Sequence, residues 1–513
     1  MAGTVAGLNM TVVSLCDATT GWTGSPTPAL NDPALFGQKE GSYCLQSYAA
    51  ASATREADFT WTTDQILTNR IIYMWFAISR LSGIPNKGAT GMRIRIEDSS
   101  ANWAEWDIFG ADTLPHGGWI CWAVEANSAT ASRTGGTFPT LTTIRKIGWR
   151  CGTTLGKTYI YWDAVRYGQG LQIYGGTSGS AAEFDDFVTS ENTNAWGVVN
   201  KFKGVYYIQG KLNFGTTSLG VATYFKDTLK TLIFQDNLVT SAFYELKTLT
   251  NADADTEVYL GWGGISGCAF GLELSTQTAR YVVDFSPATR TKIGIYGCSF
   301  RRSGVITLPV YDASYLREVL NTVFENCDSI IVNTCVVEGC SSISAVSAGF
   351  RITSESHKLK DCKLISCPYG IRFPSAGSYG LSNVIFSGTF TAHIDNTSGL
   401  AVTINRSNGT NCTTYTGTTT LKDSIDLTMI VKTQAGVAIQ YAWAYIDEND
   451  VTPFIMNIQT DINGVATINY NGSPMTDSRW RVRKYGYKDF KQLITTGSVN
   501  ITLPVTLVVD PQQ

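Results

Sequence analysis

The sequence predicts an all-β chain in three parts: a β-sandwich, a parallel β-helix and a second β-sandwich. Three observations carry this reading. The charged fraction is only 16%, and the chain holds 49 Gly. Helices with salt-bridged outer faces need more Glu, Lys and Arg than that, whereas surfaces of Thr, Ser, Asn and Gly suit sheets and turns. Nine of the thirteen Trp (Trp22, Trp61, Trp75, Trp103, Trp106, Trp119, Trp122, Trp149 and Trp162) fall before residue 168. Finally, Ile265-Ser266-Gly267-Cys268-Ala269-Phe270 returns as Ile295-Tyr296-Gly297-Cys298-Ser299-Phe300. Internal similarity of this kind is the mark of a solenoid.

In the first part, 1–168, short apolar or alternating runs recur between turn signals. Ile71-Ile72-Tyr73-Met74-Trp75-Phe76, Met92-Arg93-Ile94-Arg95-Ile96 and Trp119-Ile120-Cys121-Trp122-Ala123-Val124 are examples. Regularly spaced short strands of this type predict a sandwich. The closing run Tyr159-Ile160-Tyr161-Trp162-Asp163-Ala164-Val165-Arg166-Tyr167-Gly168 resembles the final strand of jelly-roll carbohydrate-binding modules. The likeness implies a jelly-roll-like sandwich.

From 169 to 412 short β segments alternate with Gly, Asn, Asp and Cys. Looser copies of the repeat share an apolar pair, a turn-forming residue or two, a Cys, then Ile: Val323-Phe324-Glu325-Asn326-Cys327, Val336-Val337-Glu338-Gly339-Cys340 and Leu364-Ile365-Ser366-Cys367. One coil cannot bury its inner face alone, so coils stack and share a core. The pattern resembles the right-handed parallel β-helices of pectate lyases and phage tailspikes. Cys268 and Cys298 are 30 residues apart, whereas Cys327 and Cys340 are 13 apart. Thirteen residues are too few for a coil, so those two Cys belong on different faces of one turn.

The third part, 413–513, holds Thr460-Asp461-Ile462-Asn463-Gly464 before an alternating run, then Trp480-Arg481-Val482-Arg483-Lys484-Tyr485-Gly486-Tyr487. Asp, Asn and Gly accept the left-handed backbone that a hairpin turn needs. This pairing resembles carboxypeptidase-regulatory-like (transthyretin-like) domains, which implies an Ig-like β-sandwich that binds or spaces without catalysing.

The net charge is −3 and no Lys/Arg run is present, which argues against nucleic acid as a partner. No apolar run approaches the ~20 residues of a membrane helix, so no membrane insertion is expected. The N-terminal residues lack the pattern of a secretory signal, which predicts folding in a cytoplasm. The chain has twelve Cys. Cys335/Cys340 and Cys362/Cys367 are off-pattern for zinc, and a buried thiol ladder inside the helix is the favoured reading. Cys16/Cys44 and Cys121/Cys151 are candidate neighbours across sandwich strands. Neither a phosphate loop nor a dinucleotide fingerprint occurs, so no cofactor and no metal are expected.

A β-helix invites glycoside hydrolysis or lyase chemistry, and hydrolysis needs two carboxylates roughly 5–9.5 Å apart. Candidates on the coils are Glu325, Glu338 and Asp361, with Asp284, Asp312, Glu355 and His357 beside them. Glu325 and Glu338 both precede a repeat Cys, which places them on one outer face if the copies are equivalent. No dense acidic cluster forms, and polar residues between inward apolar ones ordinarily point to solvent, so the balance is against an enzyme. His116 reads as a loop residue. Trp103, Trp106, Trp119 and Trp122 are candidates for stacking sugar rings. Positions i and i+3 lie on opposite faces of a strand, so each pair holds at most one inward ring, and an aromatic core is the favoured alternative.

Three β modules in series resemble phage tailspikes, fibres, baseplate proteins and head decorations. That resemblance implies a structural or adhesive virion component, homotrimeric, bound to other virion proteins and contacting host surface polysaccharide. An enzymatic tailspike that cleaves such polysaccharide and a secreted non-viral adhesin are the alternatives.

Overall fold

The structure, a computed structural model, describes residues 3–31, 37–49, 52–112, 118–176 and 199–510, except 203, 209, 219–220, 226–230, 235–243, 250–255, 262–266, 268, 273–279, 287–289, 311, 313, 424, 449–453, 471–474, 476 and 497–499. His116 and the Ile265, Ser266 and Cys268 positions of the first repeat lie outside the described residues. The chain forms two compact units, Met1–Arg351 with Ile365–Pro368, and Ile352–Leu364 with Tyr369–Gln513. The fold is all-β, as predicted, with a sandwich and parallel coils in the first unit and further coils and a second sandwich in the other.

The first sandwich pairs two six-stranded antiparallel sheets. Its period-two strands sort their own side chains. In Met92–Asp98, Met92, Ile94 and Ile96 turn inward while Arg93, Arg95 and Glu97 face out. The core is built on Trp. Trp22 and Trp149 meet Trp162 at 5.5 and 5.1 Å between ring centroids, and Trp122 stacks on Phe109 at 4.9 Å. Each buried indole removes ~200 Å² from water, worth about 5 kcal/mol. The outward face of the sheet holding Met92–Asp98 is a ladder of ion pairs: Arg93–Glu105 (3.0 Å), Arg133–Asp107 (2.6 Å), Lys146–Glu97 (2.8 Å) and Arg150–Asp58 (2.7 Å).

After Leu171–Gly175 the chain coils. Val205–Ile208, Lys211–Gly215 and Thr223–Phe225 make one turn, and each pairs in parallel with its counterpart in the next: Thr231–Phe234, Glu245–Leu249 and Thr256–Leu260. Three strands per coil therefore build three faces, as a parallel β-helix requires. On one face the inward row runs Tyr206, Leu232, Phe270, Phe300 and Phe324. Phe270, Phe300 and Phe324 stack at 5.3 and 5.7 Å with planes 16° and 13° apart.

The repeat motif is a corner. A residue with left-handed backbone is followed by a small buried one: Gly297-Cys298, Asn321-Thr322 and Gly339-Cys340 at one corner, Asn326-Cys327 and Ser344-Ala345 at another. The amide of Val323 donates to the Cys298 carbonyl and that of Ser341 to the Thr322 carbonyl, so these positions stack coil upon coil. Small buried residues thus recur behind the left-handed ones, Cys or Thr at the first corner and Cys or Ala at the second. Cys327 and Cys340 accordingly occupy different corners, in keeping with their 13-residue spacing. The described cysteines are buried thiols outside any disulfide. Burial pushes the Cys335 thiol up to about 12, and the Cys327 and Cys340 thiols donate to the carbonyls of Phe300 and Val319.

In the second unit, Val465–Tyr470, Ile425–Thr433 and Ile501–Leu507 form a three-stranded sheet, and Met456–Gln459, Trp443–Glu448, Ser478–Arg483 and Phe490–Ile494 a four-stranded one. Leu427, Met429 and Val431 face Ala444, Ile446, Trp480 and Val482 across one core. The Asp461 carboxylate accepts the amides of Asn463 and Val465, both at 2.8 Å, and Gly464 takes φ +73°. This is the predicted turn, with one correction. It carries the chain from one sheet to the other instead of closing a two-strand hairpin, because Met456–Gln459 and Val465–Tyr470 pair with different partners.

Candidate functional site

The four-stranded sheet of the second sandwich has a core face and a solvent face, and the alternation decides which residues reach water. In Trp443–Glu448, Ala444 and Ile446 are buried, so Trp443 and Tyr445 point away from the core. In Ser478–Arg483, Trp480 and Val482 are buried, which turns Arg479, Arg481 and Arg483 outward. Antiparallel register sets Trp443 opposite Arg483, Tyr445 opposite Arg481 and Asp447 opposite Arg479. An aromatic column and a guanidinium column therefore lie side by side.

The geometry of the columns is defined. Trp443 and Tyr445 stack at 6.1 Å with planes 21° apart, and Phe454 leans on Tyr445 at 5.7 Å. Asp447 is fully buried between Arg479 (3.3 Å) and Arg481. At the open end, Tyr441, Trp443, Arg483, Lys484, Tyr485, Tyr487 and Asp489 line a cleft of about 350 Å³. Arg483 pairs with Asp489 at 3.0 Å, and the Lys484 ammonium lies 5.9 Å from the centre of the Tyr441 ring. Trp443 is 42% exposed, Tyr441 55% and Tyr485 84%. Tyr441 also sits at φ +54°, a conformation that bulky L-residues avoid. The amide of Tyr441 donates to the Thr460 carbonyl, and the next amide, Ala442, donates to the Thr460 hydroxyl, so Thr460 holds the bend that projects the ring. Backbone strain of this kind gathers at binding sites. Flat rings in water beside fixed donors suit the apolar face and hydroxyls of a sugar.

The residues singled out from the sequence lie elsewhere. Trp106 and Trp122 are core residues and cannot meet a ligand. Their partners at i−3 do face away from that core, as the period requires. Trp103 lies on the charged outer face with Arg95 over its ring at 4.4 Å, and Trp119 donates from its indole nitrogen to the Gly37 carbonyl at 2.9 Å. Glu325 and Glu338 do not share a face. Glu325 ends a strand of the nine-stranded sheet, whereas Val336–Glu338 belongs to another, because the two repeat copies are different corners of a coil. Glu325 rims a cleft of about 530 Å³ walled by Tyr207, Ile233 and Arg301, with Arg301 at 3.5 Å. Asp361 is a corner residue at φ +53°, where equivalent corners carry Gly or Asn, and its carboxylate accepts from Asn383 at 2.8 Å. That position explains Asp361 without chemistry. His357 is half-buried, and desolvation of its ring pulls the imidazole down to about 4.

Trp443, Tyr441, Tyr485 and Arg483 were missed as a site. The alternation Ala442-Trp443-Ala444-Tyr445-Ile446 against Arg481-Val482-Arg483 is the signal that reveals them. It needs the pairing of the two strands to be read.

No family model matches the chain, and no curated protein matches it. Among solved structures, the family 11 carbohydrate-binding module of the cellulosomal cellulase Lic26A-Cel5E of Clostridium thermocellum is 8% identical over 32% of this chain and 96% of its own, with a TM-score of 0.22. The catalytic unit of a GH87 α-1,3-glucanase from Streptomyces thermodiastaticus strain HF3-3 is 11% identical over 78% of this chain and 75% of its own, with a TM-score of 0.20. An agarase, AgWH50C, is 14% identical over 32% of this chain and 24% of its own, at 0.23. Scores this low carry no functional inference.

Proposed function

We propose that this chain is a non-catalytic, glycan-binding adhesive protein, and that it binds through the solvent face of the four-stranded sheet. The observation that carries the reading is the exposed Trp443–Tyr441–Tyr485 cluster beside Arg483 and Lys484, with Tyr441 held in a strained backbone conformation. Solvent-facing rings cost free energy unless something covers them, and here they converge on one cleft. Glycan-array binding of the full chain, repeated with Trp443→Ala, tests this. Loss of binding in the variant is expected, and a wild-type chain that binds no glycan refutes the reading.

The wider role we propose is that of a surface component of a phage virion, homotrimeric, attached to other virion proteins and directed at host polysaccharide. The support is the series of sandwich, coil and sandwich modules. Recovery of the chain in purified particles tests it, and absence from them removes it. One observation favours a second reading, that of an enzymatic spike: Glu325 and Arg301 border the 530 Å³ cleft on the coils. New reducing ends or unsaturated products after incubation with polysaccharide would establish it.

A further inference from the structure

The charge distribution of the sheet face specifies more than a sugar. Segment 478–491 carries six cations, Arg479, Arg481, Arg483, Lys484, Lys488 and Lys491, against one acid, Asp489, in a chain whose net charge is −3. The first three cations stand on alternate residues of one strand, roughly 6.8 Å apart, all on the solvent face. Lys491 joins them, set opposite Arg481 on the neighbouring strand. The buried Asp447 answers Arg479 and Arg481, and Asp489 answers Arg483. Among the residues that line the cleft, the two cations Arg483 and Lys484 thus stand with one acid, Asp489, which pairs with Arg483. The Arg483–Asp489 pair is open to water, at 55% and 44% side-chain exposure, so it adds little to folding and is free to exchange for a ligand carboxylate.

We infer that the glycan held on this face is acidic, a polysaccharide with carboxylate-bearing sugars that stack on Trp443 and Tyr441 while their carboxylates pair with Arg483 and Lys484. The guanidinium fork matches a carboxylate in a way that a neutral hydroxyl pair does not. The inference rests on the glycan-binding reading, and the two can fail separately. It specifies a polyanion, and sugar is favoured over nucleic acid because these cations are confined to one short segment of a net-acidic chain.

The test prints acidic bacterial polysaccharides beside their carboxyl-reduced forms, together with neutral polysaccharides and single-stranded DNA, and probes them with the full chain. Three results are expected. Acidic polymers bind at least tenfold tighter than their reduced forms. The preference shrinks as NaCl rises from 50 to 500 mM, and Arg483→Gln with Lys484→Gln abolishes the preference while leaving the melting temperature unchanged. Equal binding to both forms, lost in Trp443→Ala, overturns the acidic inference and leaves the glycan reading standing. Binding to no polysaccharide overturns both, as does tighter binding to DNA than to any glycan.

Discussion

Replacing Trp443 with Ala removes the largest ring of the sheet face. A whole indole side chain presents about 250 Å², and at 42% exposure about 100 Å² of it remains for a sugar to cover. At ~25 cal/mol/Å² that area is worth about 2.5 kcal/mol, and ordering the sugar and its neighbours returns part of this. A net loss of about 2 kcal/mol weakens binding about 30-fold. Because the ring lies outside the core of Leu427, Ala444, Ile446 and Trp480, the variant is expected to melt within a few degrees of the parent. Titration calorimetry with the best-bound oligosaccharide measures the first quantity and scanning calorimetry the second. Trp103→Ala is the comparison, since Trp103 is the one solvent-side Trp of the charged ladder and already lies under Arg95. Affinity unchanged within twofold in Trp443→Ala, with a tenfold or larger loss in Trp103→Ala, would refute the placement of the site and move it to the first sandwich.

Other outcomes follow from the same structure. The Asp163 carboxyl is buried and accepts amides from Lys39, Glu40 and Ala164, yet desolvation outweighs those bonds and pushes it up to about 7. The folded chain then keeps a proton that the unfolded chain sheds near pH 4, so stability falls as pH rises from about 4 to 7, by up to roughly 4 kcal/mol. Urea midpoints across that range are expected to show the fall in the parent and not in Asp163→Asn. Phe300→Ala opens the ring stack between Phe270 and Phe324 and is expected to cost about 3–5 kcal/mol by denaturant titration. Asp361→Gly is expected to change stability by less than about 0.5 kcal/mol and to leave any glycan activity intact, whereas Asp361→Val, strained at φ +53°, should cost 1 kcal/mol or more. Gly271 has no need of a left-handed backbone, and a Cβ there would meet nothing nearer than 3.7 Å, so Gly271→Trp should fold and fill the coil cleft. Any glycan cleavage lost in that variant would place the chemistry beside Glu325.

What was legible in the sequence were the features set by local period. Met92-Arg93-Ile94-Arg95-Ile96 announced a half-buried strand, and Gly297-Cys298-Ser299-Phe300 announced a coil. The Cys spacing even showed that Cys327 and Cys340 sit on different faces. Three-dimensional pairing was not legible. Glu325 and Glu338 precede similar Cys residues and still belong to different sheets, because two corners of one coil use the same turn chemistry. The proposed binding face escapes the sequence for the same reason. Trp443 and Arg483 are 40 residues apart in sequence and become neighbours only through antiparallel register. Abundance is no guide to the proposed site: the Trp-rich segment builds a core, as its favoured reading held, and Trp443 stands where Trp is sparse.

The corners also bear on how the coils tolerate change. Thr231 and Ala269 are paired across neighbouring coils 38 residues apart, and Val323 and Ser341 are paired likewise only 18 apart. Both steps satisfy the same ladder, so register is held by the pairing of the strands and not by the length of chain between them. Sequence can therefore be spliced into or trimmed from a coil without disturbing those above and below. A foreign peptide inserted after a strand should be displayed on the outside of an otherwise unaltered stack, which makes each coil an independent socket for new surface.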